Sequence, residues 1–177
     1  MRVTLKMHKD LQVIINEDAI DKRVKEIATQ LEKELAEKDP LFIVVMNGAF
    51  MFAADLLRNF TAPSTMAFIQ IKSYNGTSRY VLDANEKQLP ELHNKHVVVI
   101  EDIVDSGTTL KWLVHQIESR GPASLRSVAL INKKVPHEAE ADIYGFDVDD
   151  IFIVGYGLDV DGRYRNLKGI FEIRSNS

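Results

Sequence analysis

The stretch Val97–Leu110, which reads VVVIEDIVDSGTTL, decides the fold of this chain. Four apolar residues run directly into the carboxylates Glu101 and Asp102, a pattern typical of a buried strand that delivers acids to the edge of a sheet. Two more apolar residues lead to the polar turn Asp105–Thr109, and helical spacing resumes at Leu110. A helix start offers unpaired N–H groups and a partial positive charge. The stretch therefore combines acids suited to a metal or a sugar with a turn suited to an anion.

The composition is that of an ordinary globular protein, with 45% hydrophobic and 27% charged residues among 177. A net charge of −4 without a basic run argues against a nucleic-acid partner. The absence of cysteine excludes disulfides and thiolate metal sites. Because the sequence also shows no signal-peptide pattern and no apolar run that could span a bilayer, we expect a cytoplasmic protein with no membrane partner.

Apolar strands alternate with amphipathic helices over most of the chain. The predicted strands of the core are Leu41–Met46, Thr65–Ile71, Val97–Ile100 and Ser127–Ile131. Helices are predicted after Asn16, over Ala49–Leu57 and from about Thr109 to Ser119. This alternation predicts βαβ units and hence an α/β fold, with a mostly parallel central sheet flanked by helices.

Two regions depart from this alternation. Residues 72–88 are polar and have no clear period, and a loop of this length inside a domain is usually functional or disordered. Near the C-terminal end, Ile151–Gly155 and Ile170–Ile173 are strands joined by polar loops that contain glycine. They predict a small lobe added to the α/β core.

Several common site types are excluded by their motifs. The chain has no G-x-x-x-x-G-K-[ST] and no G-x-S-x-G, and its five histidines show no H-x-x-x-H pairing. The Gly155–Gly157 region misses the G-x-G-x-x-G spacing of a dinucleotide site. The acids of Val97–Leu110 remain as candidates. Solvated acids at a sheet edge are the alternative, but acids at the carboxyl end of an apolar strand lie where open α/β sheets place ligands.

These residues carry a resemblance. Val97–Leu110 resembles the phosphoribosyl-pyrophosphate signature of the type I phosphoribosyltransferases. Further segments are similar to the hypoxanthine(-guanine) phosphoribosyltransferases: Ser73-Tyr74, Lys133, the run Phe152–Asp159 (FIVGYGLD) and Arg163–Arg165 (RYR). The resemblance implies a type I phosphoribosyltransferase fold in one domain over residues 1–177. A small hood lobe would comprise about residues 1–15 and 136–177, and a mobile active-site loop about residues 72–88.

The resemblance also implies a reaction. The family transfers the 5-phosphoribosyl group from phosphoribosyl pyrophosphate (PRPP) to a 6-oxopurine, here hypoxanthine and guanine, giving IMP or GMP and pyrophosphate in purine salvage, with Mg²⁺ as cofactor. Glu101 and Asp102 would hold the ribose hydroxyls, directly or through the water shell of the metal. The turn formed by Asp105, Ser106, Gly107, Thr108 and Thr109 would bind the 5-phosphate. Asp105 would also act as general base toward the purine N7; a loop or capping acid is its alternative.

The second substrate is implied by residues outside this stretch. Lys133 would donate to the 6-oxo group and so disfavour adenine. Phe152 would stack on the purine, although a lone aromatic on a strand is more often a core residue. Ile153 would offer its backbone to the base edge. Asp159 would lie beside the purine and meet a second magnesium, which makes Glu101, Asp102 and Asp159 the implied metal set. Ser73 and Tyr74 would belong to a loop that closes over the site.

One residue departs from the family pattern. The turn Met46-Asn47-Gly48 matches the pyrophosphate loop, whose central residue is often Lys or Arg and whose peptide bond is sometimes a non-proline cis bond. Asn47 keeps the backbone amide but lacks the positive charge. We therefore expect pyrophosphate to be bound by Asn47, Gly48 and Arg165.

Three alternatives stay open from the sequence. Lys133 accepts any 6-oxopurine, so a xanthine-preferring enzyme is possible. A regulatory nucleic-acid-binding protein on the same fold is disfavoured by the net charge and by the full set of acids, lysine and arginine. The family commonly forms homodimers or homotetramers. The apolar helix Ala49–Leu57 fits either a subunit contact or burial in the core.

Overall fold

In the part of the chain that the structure describes, the large sheet has six strands in the order β4-β3-β2-β5-β6-β7. The computed structural model describes residues 11–75, 80–84 and 86–174, with side chains described outside 72–86. The strands of this sheet are β2 (Leu41–Met46), β3 (Thr65–Asn75), β4 (Tyr80–Ala84), β5 (His96–Val104), β6 (Ser124–Lys133) and β7 (Ile143–Val148). All neighbours pair in parallel except β3 and β4, which are antiparallel. The predicted α/β class with a mostly parallel sheet is confirmed.

A second, antiparallel sheet has the order β1-β9-β8. Its strands are β1 (Leu11–Ile15), β8 (Ile153–Val154) and β9 (Ile170–Ile173). Segments from both ends of the described chain thus form a small lobe, as expected. The strand β7, however, belongs to the large sheet, although residues 143–148 fell within the hood segment expected from the sequence. The mixed sequence of β7 does not predict a strand, and the segment is a strand because it pairs with β6.

Among the described residues, three helices cover the large sheet: α1 (Glu17–Leu35), α2 (Phe50–Asn59) and α3 (Thr108–Glu118). α1 begins as predicted, because the Asn16 side chain accepts a hydrogen bond from the N–H of Ala19 and two acids lie in the first turn. Its buried residues recur at helical spacing: Ile20, Val24, Ile27, Ala28, Leu31 and Leu35. None of the described helices is long and apolar enough to cross a membrane.

Alternate residues of the strands enter two cores. Phe42 and Val44 of β2 pack with α1 and α2, whereas Ile43 and Val45 belong to the cluster that contains Leu113 of α3. Burial on both faces explains why the central strands are continuously apolar. Because β3, β2, β5, β6 and β7 pair in parallel, their carboxyl ends lie at one edge of the sheet, which is where the candidate site lies.

The segment predicted as an irregular loop over residues 72–88 contains regular backbone. β3 extends to Asn75, and its last residues pair with β4, with Ser73 opposite Leu82 and Tyr74 opposite Val81. A short 3₁₀ helix, Glu86–Gln88, follows. The aromatic and β-branched residues of Tyr80-Val81 favour a strand, and cross-strand pairing outweighed the polar character of the segment. The predicted roles of the Ser73 and Tyr74 side chains lie outside the described residues.

Candidate active site

β5 extends further at the carboxyl edge of the sheet than its neighbour β2. The register of β2 with β5 ends at Val44 opposite Ile100, whereas the pairing of β5 with β6 continues to Val104 opposite Asn132. The strand was predicted to end at Ile100, and this boundary is wrong because β6 sustains the ladder for four more residues. Glu101 and Asp102 therefore lie inside β5, on rigid backbone, beside the place where β2 stops.

Glu101 and Asp102 form a close acidic pair. Glu101 is only 7% exposed and its carboxylate accepts a hydrogen bond from the Asp102 N–H at 3.2 Å. The Asp102 carboxylate accepts from the N–H of Ile103 at 3.0 Å. Burial raises the pKa of Glu101 well above its ordinary value, and the neighbouring Asp102 carboxylate raises it further. Burial also raises the pKa of Asp102, with partial compensation from hydrogen bonds and Arg165.

The buried acidic pair lowers the stability of the folded protein at neutral pH, and this effect can be measured. Because the folded state raises the pKa of Glu101, ionisation of that carboxyl opposes folding, and stability falls as the pH rises from its ordinary pKa through the raised one. We expect Glu101→Gln to raise Tm at pH 7–8 in metal-free buffer by a few degrees, since 1 kcal/mol corresponds to about 2–4 °C in a domain of this size. Thermal melts from pH 4 to 8, with exposed Glu37→Gln as control, check this. Equal pH dependence in wild type and Glu101→Gln would contradict it.

The turn after β5 has the form of an anion cradle. Gly107 has a φ of 78° and precedes the first residue of α3, Thr108, so the N–H groups of the helix start follow directly. The hydroxyls of Ser106 and Thr108 lie 2.9 Å apart. A Cβ at residue 107 would collide with the backbone of Ala139, which explains the glycine. Asp105, at the start of the turn, is exposed.

The turn between β2 and α2 faces the acidic pair. The Met46-Asn47 peptide bond is a non-proline cis bond. A Cβ at Gly48 would coincide with the carboxylate of Asp102, so this turn and that acid approach as closely as glycine permits. On its other side, the Gly48 carbonyl oxygen abuts Gly157, where a side chain would again collide.

The small lobe contributes an ion pair. Arg165 Nη2 lies 2.7 Å from Asp159 Oδ1, and Arg165 Nη1 donates to the Gly157 carbonyl at 2.6 Å. The second oxygen of Asp159 accepts from the Gly162 N–H at 2.6 Å. Both carboxylate oxygens of Asp159 are therefore engaged, while a guanidinium has five donors and Arg165 uses two in these contacts.

One cavity of about 650 Å³ brings most of the predicted donor-binding residues together. Its lining contains Asn47, Gly48, Glu101, Asp102, Asp105, Ser106, Gly107, Thr108, Thr109, Asp159 and Arg165. Among the described residues, the predicted base-binding Lys133, Phe152 and Ile153 are not in that lining. Lys133 is buried and its Nζ donates to the Ile151 carbonyl at 2.6 Å and to Asp150 at 3.2 Å. Phe152 is 58% exposed, so it is not the core residue that was its alternative, and Ile153 is buried.

The sequence of residues 14–161 matches the family model of the phosphoribosyl transferase domain. The chain belongs to the phosphoribosyltransferase family. The predicted family is thus confirmed over most of the chain, and the cavity coincides with the segment that carried the resemblance.

Individual phosphoribosyltransferases are similar over nearly the full length. The chain is 38% identical to the hypoxanthine-guanine phosphoribosyltransferase of Bacillus subtilis over 166 residues, covering 90% of this chain and 91% of that protein. It is 36% identical to the hypoxanthine-guanine-xanthine phosphoribosyltransferase of Tritrichomonas foetus, with 91% of each covered. The crystal structure of a hypoxanthine phosphoribosyltransferase from Staphylococcus aureus superposes with a TM-score of 0.89 at 32% identity, covering 98% of this chain and 97% of that one.

Sequence reasoning missed Glu138, which also lines the cavity of this phosphoribosyltransferase. Its carboxylate contacts Thr108 and Lys111, which lie 30 and 27 residues away in the sequence. Glu138 is one of three acids in the polar connection between β6 and β7, with Glu140 and Asp142, and nothing in its local sequence distinguishes it from a surface residue. Only the packing of that connection on the turn reveals it.

No cluster of three or more Asp, Glu, His or Cys side chains suited to a metal is found in the described ranges 11–75, 80–84 and 86–174. The predicted set Glu101, Asp102 and Asp159 is thus divided, with Asp159 bound to Arg165. Two adjacent carboxylates of raised pKa still fit a hard cation, because a positive charge would offset the burial and repulsion that raise those pKa values.

Proposed function

We propose that the chain transfers the 5-phosphoribosyl group of PRPP to hypoxanthine and guanine, giving IMP or GMP and pyrophosphate, in purine salvage. The observation that carries this proposal is the single cavity in which the acidic pair, the Asp105–Thr109 turn and the Met46–Gly48 turn meet. By their names, the similar proteins above act on hypoxanthine, and those of Bacillus subtilis and Tritrichomonas foetus also act on guanine, which supports these bases.

Different elements of the cavity bind different parts of PRPP. The 5-phosphate sits at the start of α3, where N–H groups and hydroxyls suit a dianion. Glu101 and Asp102 accept hydrogen bonds from the ribose hydroxyls. Pyrophosphate lies against Asn47, Gly48 and Arg165, where the guanidinium supplies the charge that Asn47 lacks.

Mg²⁺ is the proposed cofactor. It usually keeps several waters and is held by one or two carboxylates together with substrate phosphates, so a pair such as Glu101 and Asp102 is a sufficient protein contribution. When bound, it neutralises charge on the departing pyrophosphate. Asp159, whose oxygens contact Arg165 and Gly162, is the proposed partner of a second ion only if that ion pair opens.

The purine is proposed to lie beside the cavity, next to the end of β6. The ammonium of Lys133 has three donors, of which two are used in the described contacts to Ile151 and Asp150. A third can reach a 6-oxo group and mismatches a 6-amino group, which disfavours adenine. The exposed ring of Phe152 is available to stack on the base. The backbone of Ile153 meets its edge, and Asp105 takes the proton from N7.

Further proposals concern the loop over the site, the oligomeric state and the cellular compartment. The segment of residues 72–88, with Ser73 and Tyr74, covers the site during turnover and excludes water.

The chain assembles as a homodimer or homotetramer. Met66 and Phe68 of β3, each more than half exposed, support this, whereas Phe52 of α2 belongs to the core. Sedimentation velocity measures the assembly. The enzyme works in the cytoplasm, where its polyanionic donor is retained, and needs no nucleic-acid or membrane partner.

Removal of the arginine in the cavity tests the pyrophosphate subsite. Hydrogen bonds to charged groups contribute about 1.5–3 kcal/mol, so Arg165→Ala should weaken PRPP and pyrophosphate binding by about 10- to 100-fold. Calorimetric titration with each ligand measures this. Arg163→Ala, two residues away and exposed, is the matched control and should bind as wild type does. Unchanged PRPP and pyrophosphate constants in Arg165→Ala would refute the assignment.

An ultraviolet assay with PRPP, Mg²⁺ and one base at a time tests the proposed reaction. Turnover with hypoxanthine and guanine but not adenine is expected. The similarity to an enzyme whose name includes xanthine makes xanthine the second candidate substrate, so it forms a separate arm. Failure to form a nucleotide from any of the four bases would overturn the proposed function.

A further inference from the structure

Glu138 places a carboxylate on the same donors that an incoming phosphate needs. Its Oε1 accepts a hydrogen bond from the Thr108 hydroxyl at 2.8 Å, and its Oε2 lies 3.1 Å from the Lys111 ammonium. It lines the cavity together with the Asp105–Thr109 turn. A negatively charged side chain thus occupies part of a turn whose other features favour an anion.

The backbone around Glu138 is fixed to this turn, while its side chain is not confined. The Glu138 N–H donates to the Ser106 carbonyl at 2.7 Å, and the backbone of Ala139 packs against Gly107. The Glu138 side chain is 51% exposed, so rotation about its own bonds can carry the carboxylate into solvent. The geometry therefore allows two positions of the carboxylate with one position of the backbone.

The Thr108 hydroxyl cannot donate to the Glu138 carboxylate and to a phosphate oxygen at the same time. A threonine hydroxyl has one proton, and when Thr108 donates it to Glu138 it cannot donate it to a phosphate oxygen. Thr108 and Lys111 also lower the pKa of Glu138, so the carboxylate remains charged at neutral pH and repels a phosphate dianion nearby.

We propose that Glu138 is an internal competitor for the 5-phosphate: its carboxylate holds Thr108 and Lys111 and must turn out of the cavity when a phosphorylated ligand binds. This inference rests on the proposed function for the identity of that ligand. The competitor weakens binding of substrate and nucleotide product alike, and so favours product release. The opposite arrangement, in which Glu138 orients Thr108 and Lys111 for the phosphate, predicts the reverse sign.

Binding of IMP and of inosine, which differ by the phosphate alone, separates these possibilities. We expect Glu138→Ala and Glu138→Gln to lower the Kd of IMP by about 1.5- to fivefold, the range for loss of an exposed charge contact, with no change for inosine. Glu140→Ala is the matched control, because Glu140 lies in the same connection, is 78% exposed and has no described contact to the turn. Its IMP affinity should equal that of wild type. Melting temperatures confirm that each variant is folded.

Equal or weaker IMP binding by folded Glu138→Ala overturns the inference, and so does an equal gain in Glu140→Ala or for inosine. Failure of the proposed function is distinguishable, since then wild type binds neither IMP nor GMP. Ribose 5-phosphate is the probe in that case. Its tighter binding by Glu138→Ala still supports the competitor, and its equal or absent binding in both proteins overturns it.

Discussion

Asp105→Asn is expected to lower kcat by about 10²- to 10⁴-fold, the range that a positioned general base contributes. Asp105 follows the last residue of β5, is the first residue of the Asp105–Thr109 turn that lines the cavity, and is exposed. Asparagine keeps the size of the side chain and one acceptor oxygen but cannot take a proton from the purine N7. PRPP affinity should therefore persist while turnover is lost, which steady-state kinetics and calorimetry on the same preparation measure.

The matched control is Asp161→Asn. Asp161 is also exposed and lies in the small lobe, and its φ of 52° is one that asparagine adopts readily. It should retain wild-type kinetics. If Asp105→Asn kept the wild-type kcat, the general-base role would be wrong. If it lost PRPP affinity with an unchanged kcat at saturation, Asp105 would contribute to donor binding alone and not to proton transfer.

The elements that the sequence predicted well are those whose signal is local. The cap and apolar face of α1, the continuously apolar β2 and the start of α3 each follow from residues within one or two turns of each other. β7 has no such signal. Its sequence IYGFDV mixes polar and apolar residues around Gly145, and only the ladder with β6, from Val128 opposite Ile143 onward, makes it a strand. At Gly145 a side chain would collide with the Leu130 carbonyl, a contact that spacing cannot reveal.

Within the site, too, features with a local sequence signal could be predicted and tertiary contacts could not. The resemblance of Val97–Leu110 identified the acids and the turn, because that motif is contiguous. The strand boundary at Ile100 was wrong, because β6, which follows in the sequence, extends the pairing of β5 beyond the edge of β2. The contact between Glu138 and Thr108 and the pairing of Asp159 with Arg165 arise from the packing of the β6–β7 connection and of the small lobe. Such contacts depend on tertiary structure and could not be predicted from residue types.

After Asp105→Asn, Gly48→Ala should have the largest effect on PRPP kinetics, because an added methyl group would clash with a neighbouring side chain. The φ of Gly48 lies outside the left-handed region, so its backbone accepts alanine without strain. The added methyl group, however, would occupy the position of the Asp102 carboxylate. Either the turn or the acid must move. A displacement of about 1 Å in a positioned group can lower turnover about 10²-fold, and we expect a loss of that order in kcat/KM for PRPP.

A comparison with a second glycine isolates the steric cause. Gly162 has a φ of 77°, and a side chain there meets no atom within 4 Å. Gly162→Ala should therefore lower stability through backbone strain while leaving PRPP kinetics near wild type. Gly48→Ala should instead lower kcat/KM for PRPP as well as Tm, because its defect arises from the clash with Asp102 and not from backbone strain.

The coupling between Gly48 and Asp102 can be measured directly with a double-mutant cycle. Asp102→Ala removes the carboxylate that the new methyl group would strike, so adding Gly48→Ala in that background should cost little further stability, whereas in wild type it should lower Tm by several degrees. Additive effects on Tm would mean that the clash is not with Asp102. In that case the close approach of Gly157 to the Gly48 carbonyl becomes the constraint, and Gly157→Ala should then reproduce the defect. A strongly non-additive cycle would instead establish that residue 48 is glycine because the Asp102 carboxylate lies where a side chain would be.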